Sequence, residues 1–125
     1  MRLAALTFAT LIAASALAHS ASVETVAEGL EHPWGMAFLP DGSMLVTERP
    51  GRMRIVTNDG QVSAPLKGVP EVWASGQGGL LDVVADKSFT QTRTIYFCFA
   101  ERTDGGGRTA VARAKLDSGK SQLDD

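Results

Sequence analysis

The most constraining feature of this 125-residue sequence is a series of short apolar segments separated by turn residues. Beyond the first eighteen residues, no stretch shows the 3.6-residue apolar spacing of an amphipathic helix, so the sequence predicts an all-β fold. The predicted strands are Val23–Ala27, Trp34–Leu39, Met44–Glu48, Arg52–Thr57, a weaker strand at Val62–Leu66, Leu80–Ala85, Thr94–Ala100 and Thr109–Leu116.

Turn chemistry indicates how these strands connect. In Pro40-Asp41-Gly42-Ser43, proline presets φ and glycine can adopt φ > 0, which predicts a hairpin between the flanking strands. The same chemistry recurs at Pro50-Gly51 and Asn58-Asp59-Gly60. Small or apolar residues partly alternate with polar ones in Met53–Thr57 and Thr109–Ala114, as expected of outer strands with one face in water.

The two halves of the chain resemble each other at an offset of roughly 45 to 55 residues, near the period of four-stranded β-propeller blades. The segments that match are residues 35–39, 44–48 and 52–57 with residues 80–85, 94–100 and 109–116. The sequence therefore predicts about two blades. Because a propeller needs about four to eight blades to close, we expect the chain to be part of a longer protein. The polar residues after Lys115 predict a turn with no strand following it.

The first eighteen residues have the composition of a secretory signal peptide. A short positive start precedes an apolar stretch from Leu3 to Leu17, and Ala16-Leu17-Ala18 fits the small-x-small rule for cleavage after Ala18. The alternative is an uncleaved anchor, but the stretch is shorter than the roughly 20 residues that cross a bilayer. We therefore expect a propeller segment of residues 19–125, periplasmic or secreted, with no membrane span after cleavage.

Composition and charge exclude several classes of function. The formal net charge is -2 and the isoelectric point is about 5.6, so no electrostatic surface for nucleic acid is expected. The single cysteine, Cys98, cannot form an internal disulfide, and its apolar surroundings predict a small buried strand residue rather than a nucleophile. The two histidines, His19 and His32, predict no zinc site.

Three places in the sequence are candidates for chemistry. His32 precedes the first long strand and is either a base or a residue that satisfies a local backbone group. Glu48 and Arg49 end a strand, where such a pair is more often a structural ion pair or a polar anchor between blades than acid–base machinery. In Trp73–Asp82, three glycines surround Gln77, which offers both a donor and an acceptor. This segment is either a ligand-binding loop or an ordinary glycine-rich turn.

Several of these segments, taken in order, resemble the soluble quinoprotein glucose and sorbosone dehydrogenases, especially the bacterial aldose sugar dehydrogenases that use pyrroloquinoline quinone (PQQ). The resemblance covers nearly all of residues 19–125. Its segments are His32–Gly42, Leu45–Arg52, Gly76–Val83, Tyr96–Phe97, Ala100–Glu101 and Thr109–Ala114. Where many members have His-Pro-Asp-Phe after the second apolar strand, this chain has Asp86-Lys87-Ser88-Phe89, and we expect the change to affect structure alone.

The resemblance implies a six-bladed propeller with PQQ over its central channel and a calcium ion beside it. It also implies that a histidine takes the proton from the anomeric hydroxyl of a sugar while hydride passes to the quinone. Gln77 corresponds to the family glutamine that hydrogen-bonds the cofactor. The family's catalytic histidine, quinone-binding arginines and calcium ligands belong to later blades, so the sequence assigns no catalytic and no metal-binding residue here.

We therefore expect the N-terminal part of a PQQ-dependent aldose dehydrogenase that oxidises the anomeric carbon of sugars to lactones, and we expect this segment alone to be inactive. The expected partner is an aldose substrate. One alternative is a non-catalytic secreted propeller that binds a protein or a glycan, because one fold carries many functions. A further alternative is a calcium-dependent propeller hydrolase, which would show a ring of acidic and amide ligands around its channel.

Overall fold

The computed structural model describes residues 21–125, which form two antiparallel β-sheets. The elements in chain order are β1 (Pro33–Phe38), β2 (Met44–Glu48), β3 (Arg52–Val56), β4 (Leu80–Ala85), α1 (Phe89–Thr92), β5 (Thr94–Thr103), β6 (Gly106–Leu116) and β7 (Leu123–Asp124). We call the sheet β1-β2-β3 blade 1 and the sheet β4-β5-β6-β7 blade 2. The all-β prediction is confirmed, while the predicted signal peptide and His19 lie outside the described residues.

The β1–β2 hairpin forms as its turn residues predict. The N–H of Leu39 donates to the carbonyl oxygen of Ser43 at 2.8 Å, which closes the turn. Asp41 Oδ1 accepts hydrogen bonds from both the N–H and the hydroxyl of Ser43. Gly42 has a φ of 84°, a conformation that glycine adopts without steric cost. Local chemistry therefore determines this hairpin.

Blade 2 contains a long hairpin, β5–β6, whose second strand has one face in water. β5 and β6 pair continuously from Thr94–Lys115 to Thr103–Gly106. Along β6, partly buried residues alternate with exposed ones from Ala110 to Lys115. In blade 1, β3 occupies the outer position of its sheet. In blade 2, β7 pairs with the end of β6, so β6 lies one strand inside the edge. The predicted outer position is therefore confirmed for β3 and is wrong for β6.

A short helix, α1, connects β4 to β5, where the sequence predicts no helix. Asp86 Oδ1 accepts a hydrogen bond from the N–H of Ser88 at 2.7 Å, and Phe89 then begins α1 with its ring buried in the core. The altered residues Asp86–Phe89 thus take part in the local fold. Within residues 21–125, no helix has the length and apolar character required to cross a membrane.

Two predicted strands are wrong, and one strand is missed. Val23 and Val26 are exposed and lie in no strand, because apolar residues form a strand only where a neighbouring edge pairs with them. Val62 makes only an isolated bridge with Val56 instead of a strand. The expectation of no strand after Lys115 is corrected by β7, which pairs with the end of β6.

One face of each sheet contributes to a common core. Its buried members are Ala37, Leu39, Leu45, Met53, Ile55, Leu66, Leu80, Val83, Phe89, Ile95, Phe97, Phe99, Leu116 and Leu123. The blades approach closely at Gly35, where a Cβ would lie 2.9 Å from the Cα of Asp82. Beside it, the buried hydroxyl of Thr47 donates to the carbonyl oxygen of Leu81 at 2.5 Å and accepts from the N–H of Gly35 at 2.9 Å.

Each blade also exposes apolar side chains. They are Trp34, Met36 and Phe38 on β1, and Val84, Tyr96 and Val111 on blade 2. Exposed apolar faces of this kind are typical of blades that pack between two neighbours in a propeller. Cys98 lies beside Tyr96 and Val111 and is half-buried, so the predicted strand position is confirmed while full burial is not.

The internal repeat is present strand by strand, because β1, β2 and β3 correspond in order and pairing to β4, β5 and β6. The match extends to a tripeptide at the end of the second strand of each blade, Thr47-Glu48-Arg49 in blade 1 and Ala100-Glu101-Arg102 in blade 2. Each glutamate lies opposite an arginine of the next strand, Glu48 opposite Arg52 and Glu101 opposite Arg108. The two blades thus repeat an ion pair as well as a strand order.

Candidate functional site

The predicted site residue Gln77 lies in a loop at the edge of the sheets where β1 and β4 begin. We call residues 73–79 the Gln77 loop. The N–H of Arg49 donates to the carbonyl oxygen of His32 at 2.9 Å, and the N–H of Leu80 donates to the carbonyl oxygen of Arg49 at 2.9 Å. These two bonds join the start of β1, the turn between β2 and β3, and the start of β4.

Glycine occurs at the three positions around Gln77 for different structural reasons. A Cβ on Gly78 would lie 2.8 Å from the carbonyl oxygen of Trp73. Gly79 has a φ of 156°, and its Cβ would lie 2.5 Å from both Cγ and the carbonyl oxygen of Arg49. Gly76 has a φ of 56° and open space around its missing Cβ. Packing therefore requires glycine at positions 78 and 79. At position 76, glycine permits the positive φ and leaves room beside Gln77.

Arg49 bonds to the backbone on both sides of Gln77. Its Nη2 donates to the carbonyl oxygen of Gly76 at 2.6 Å, and its Nε donates to the carbonyl oxygen of Gly78 at 3.1 Å. The side chain of Gln77 is exposed between these two anchored peptides. The loop thus presents one primary amide to solvent from a backbone held on both sides.

Trp73 anchors the other end of the Gln77 loop to blade 2. Its N–H donates to the carbonyl oxygen of Ala100 at 2.8 Å. Its ring lies directly over Gly107, where a Cβ would lie 1.8 Å from Cζ3, so any larger residue at position 107 would displace the ring. A polar groove of about 680 Å³ adjoins Trp73 and is also lined by Glu101, Arg102 and Asp104.

Glu48 is a fully buried carboxylate within a cluster of polar groups. It accepts hydrogen bonds from Arg52 Nε at 2.6 Å, from Arg54 Nη1 at 3.3 Å and from the N–H of Glu31 at 2.6 Å. Burial acts to raise the pKa of Glu48, but the hydrogen bonds from Arg52 and Glu31 and the two guanidinium charges outweigh it, so the pKa lies below its ordinary value. Glu48 is therefore held as an anion.

The neighbours Glu48 and Arg49 serve the two structural roles that their sequence suggests, and each residue takes one. Glu48 forms the structural ion pairs, with Arg52 and Arg54, while Arg49 is the polar anchor between blades.

His32 is exposed, adopts a φ of 48° and accepts the N–H of Arg49 at its carbonyl oxygen. This bond joins main-chain groups, so the role of the His32 side chain stays a prediction.

The part of the chain from residue 21 to residue 125 contains no group of three or more His, Cys, Asp or Glu side chains that could hold a metal ion. No calcium ligand is assigned to any residue. The fit to a quinone cofactor rests instead on the open space at Gly76 and the exposed amide of Gln77. An amide can donate to and accept from the oxygens and ring nitrogen atoms of a flat polar cofactor.

Sequence reasoning predicted Gln77 as a site residue and missed the contact between Arg49 and the Gln77 loop. Twenty-eight positions separate Arg49 from Gln77, and only the packing of blade 1 on blade 2 brings them together. The available signal was the repeated Thr-Glu-Arg and Ala-Glu-Arg at equivalent places in the two halves.

Comparison with known proteins gives the family. Residues 30–125 match the family model described as Glucose / Sorbosone dehydrogenase. The chain is 46% identical over 106 residues to the aldose sugar dehydrogenase YliI of Escherichia coli K12, and this match covers 83% of the chain and 29% of that relative.

Solved structures agree with this match. A glucose dehydrogenase structure superposes with a TM-score of 0.81 at 44% identity, covering 84% of this chain and 33% of that protein. The PQQ-bound form of aldose sugar dehydrogenase from Streptomyces coelicolor superposes with a TM-score of 0.71 at 31% identity, covering 82% of this chain and 30% of that protein. The chain thus spans about a third or less of the length of these relatives. Its two sheets are blades of a β-propeller, and the chain belongs to the glucose/sorbosone dehydrogenase family.

Proposed function

We propose that this chain is the cofactor-contacting N-terminal part of a PQQ-dependent dehydrogenase that oxidises the anomeric carbon of aldose sugars to lactones. Family membership supports the dehydrogenase class, and the similarity to a PQQ-bound aldose sugar dehydrogenase supports the cofactor. The observation in this chain that carries the proposal is the exposed amide of Gln77 on a loop anchored by Arg49 and Trp73. When bound, the quinone accepts the hydride that the sugar loses.

Gln77 contributes binding and orientation in this proposal. Its side-chain N–H groups donate to a cofactor oxygen, or its carbonyl oxygen accepts from a cofactor donor. Because the peptide before Gln77 and the peptide after Gly78 are already held by Arg49, the backbone need not be ordered when the cofactor binds. The net contribution of such a contact is about 1 kcal/mol.

We also propose that residues 1–18 are a signal peptide and that the protein acts in the periplasm or after secretion. The apolar stretch from Leu3 to Leu17 and the Ala16-Leu17-Ala18 sequence support this proposal. Mass spectrometry of the exported protein is expected to give His19 as the first residue. A retained Met1 would contradict cleavage. Calcium is part of the proposal through the family resemblance alone.

A chimera tests the dehydrogenase proposal. Residues 30–125 replace the matching segment of the Escherichia coli aldose sugar dehydrogenase, and the product is compared with the 125-residue chain alone. We expect the chimera to oxidise aldoses in a dye-coupled assay when PQQ and calcium are added, and we expect the chain alone to give no turnover. A folded chimera that neither binds PQQ nor oxidises sugar would contradict the proposal and favour a binding propeller.

The role of Gln77 is tested in the same chimera by equilibrium dialysis against PQQ. We expect Gln77→Ala to weaken PQQ binding about five- to tenfold, because about 1 kcal/mol of polar contact is lost. Gln91→Ala is the matched control, since Gln91 is an exposed glutamine on α1. Equal dissociation constants for the parent chimera and Gln77→Ala would remove Gln77 from the cofactor site.

A further inference from the structure

We propose that Arg49 is a positioning residue, which sets the direction in which Gln77 is presented to the cofactor. The inference rests on the proposed function in one respect, namely that Gln77 contacts the quinone. The holding of the Gln77 loop by Arg49 is independent of that contact and is tested separately below.

The geometry of Arg49 is suited to this role because its two hydrogen bonds span Gln77. The carbonyl oxygen of Gly76 belongs to the peptide that joins Gly76 to Gln77, and that of Gly78 belongs to the peptide that joins Gly78 to Gly79. Arg49 holds these two oxygens at 2.6 and 3.1 Å. Fixing both peptides limits the backbone rotation that would swing the Gln77 side chain. A guanidinium holds two acceptors at once through its planar set of donors, which a lysine ammonium does not reproduce with the same geometry.

Arg49 is itself fixed, so it can transmit its own position to the loop. Its N–H donates to the carbonyl oxygen of His32, and its carbonyl oxygen accepts the N–H of Leu80. Its Cγ lies against Gly79, where a Cβ would come within 2.5 Å. The main chain and the aliphatic stem of Arg49 are therefore held by contacts that do not involve its guanidinium.

The repeat in blade 2 shows that strand position alone does not create this arrangement. Arg102 follows Glu101 as Arg49 follows Glu48, yet Arg102 is exposed and lies within β5, on the hairpin that continues to Thr103. Arg49, by contrast, lies in the turn that follows β2 and faces the Gln77 loop. The holding of Gln77 thus depends on the glycine loop packed opposite Arg49.

Two readouts separate a positioning role from a general effect on stability. Hydrogen–deuterium exchange, followed in the full chain and in the chimera, reports on the backbone of residues 73–80. The PQQ dissociation constant in the chimera reports on Gln77. We expect Arg49→Ala to accelerate exchange at Gly78 and Leu80, and to weaken PQQ binding about tenfold, as loss of charge-assisted hydrogen bonds predicts. Arg49→Lys is expected to restore part of the exchange protection and part of the PQQ affinity. In both variants, the KM for sugar is expected to change little.

A double-variant cycle tests whether Arg49 acts through Gln77. If it does, Arg49→Ala weakens PQQ binding in the parent chimera but adds little in a Gln77→Ala background. Arg108→Ala is the control, because Arg108 lies on β6, has a side chain that is 70% exposed and pairs with Glu101. This control is expected to leave both exchange and PQQ binding unchanged.

The outcomes distinguish this inference from the proposed function. Unchanged exchange in residues 73–80 of Arg49→Ala would overturn the inference. So would full additivity of Arg49→Ala and Gln77→Ala, which would mean that Arg49 acts on PQQ without Gln77. If Gln77→Ala itself leaves PQQ binding unchanged, the cofactor role of Gln77 fails, while the exchange measurement still decides whether Arg49 holds the loop.

Discussion

The two blades carry the same glutamate–arginine pair at equivalent positions, and they bury it to very different extents. In blade 1, the side chain of Glu48 is 0% exposed and that of Arg52 is 33% exposed. In blade 2, the side chain of Glu101 is 32% exposed and that of Arg108 is 70% exposed. An identical cross-strand pair is therefore part of the interior in one blade and a surface ion pair in the other.

The difference comes from what covers each pair. Glu48 lies under the segment that leads into β1, where the N–H and carboxylate of Glu31 reach Glu48 and Arg52. Glu101 lies on a hairpin that continues to Thr103 and Gly106, so water reaches it. A repeated sequence can thus specify a repeated contact without specifying its energy, because the energy depends on the solvent around it.

The largest effect is expected on removing the buried carboxylate. Glu48→Ala leaves Arg52 and Arg54 without their shared anion and the N–H of Glu31 without its acceptor. Breaking one side of a buried pair costs about 3 kcal/mol or more. Urea unfolding of the chain measures this loss in the free energy of unfolding. A loss under about 1 kcal/mol would show that the Glu48 pair behaves like a surface pair.

A pH series tests how strongly blade 1 holds its carboxylates as anions. Hydrogen bonds and charge hold the pKa of Glu48 below its ordinary 4.5, and the hydrogen bond from Lys120, with a smaller one from Ser43, lowers the pKa of Asp41 to about 2. Both shifts contribute stability that is present above the unfolded pKa and is lost as pH falls through the folded pKa. We expect stability to decline from about pH 4.5 downwards, and to decline less steeply in Glu48→Gln. Parallel curves of stability against pH for the parent chain and for Glu48→Gln would contradict the lowered pKa of Glu48.

A smaller effect is expected at the contact between the blades. Thr47→Val removes the hydroxyl that bonds to Leu81 and Gly35, and leaves two buried backbone groups without that partner. The expected loss is about 1 to 2 kcal/mol in the free energy of unfolding. Thr109→Val is the control, because Thr109 is exposed on β6. Equal effects of the two substitutions would mean that the Thr47 bonds do not stabilise the blade contact.

The smallest effect is expected at the exposed pair of blade 2. Glu101→Ala is expected to lower the free energy of unfolding by less than about 1 kcal/mol, because a solvated ion pair gains little. High salt should remove most of that difference by screening. Urea unfolding at low and high ionic strength measures it. A loss as large as that of Glu48→Ala would erase the contrast between the blades.

Much of the fold could be predicted because it depends on local chemistry. The bounds of β2 and β4 agree with prediction, and the Pro40–Ser43 turn forms through its own hydrogen bonds. Strand signals failed where pairing was needed: Val23 and Val26 found no strand partner, whereas the polar segment at Leu123 became β7 by pairing with β6. Periodicity describes a strand's two faces but does not supply its neighbour.

The site was predictable only in its most local part. Gln77 stood out because glycines surround a single polar side chain, a pattern visible over a few residues. The hold of Arg49 on that loop crosses from one blade to the other, so no local pattern contains it. The repeated Thr-Glu-Arg and Ala-Glu-Arg mark the position, yet only one of the two arginines faces a glycine loop.

The sequence by itself determined the β-strand class, the hairpin turns, the two-blade repeat and the candidate residue Gln77, because these depend on neighbouring residues and on short-range backbone preferences. The tertiary structure alone decided that Glu48 is buried while Glu101 is solvated, and that Arg49 holds the Gln77 loop. The physical reason is that burial and hydrogen bonding between blades depend on which surfaces meet, and residues far apart in sequence supply those surfaces.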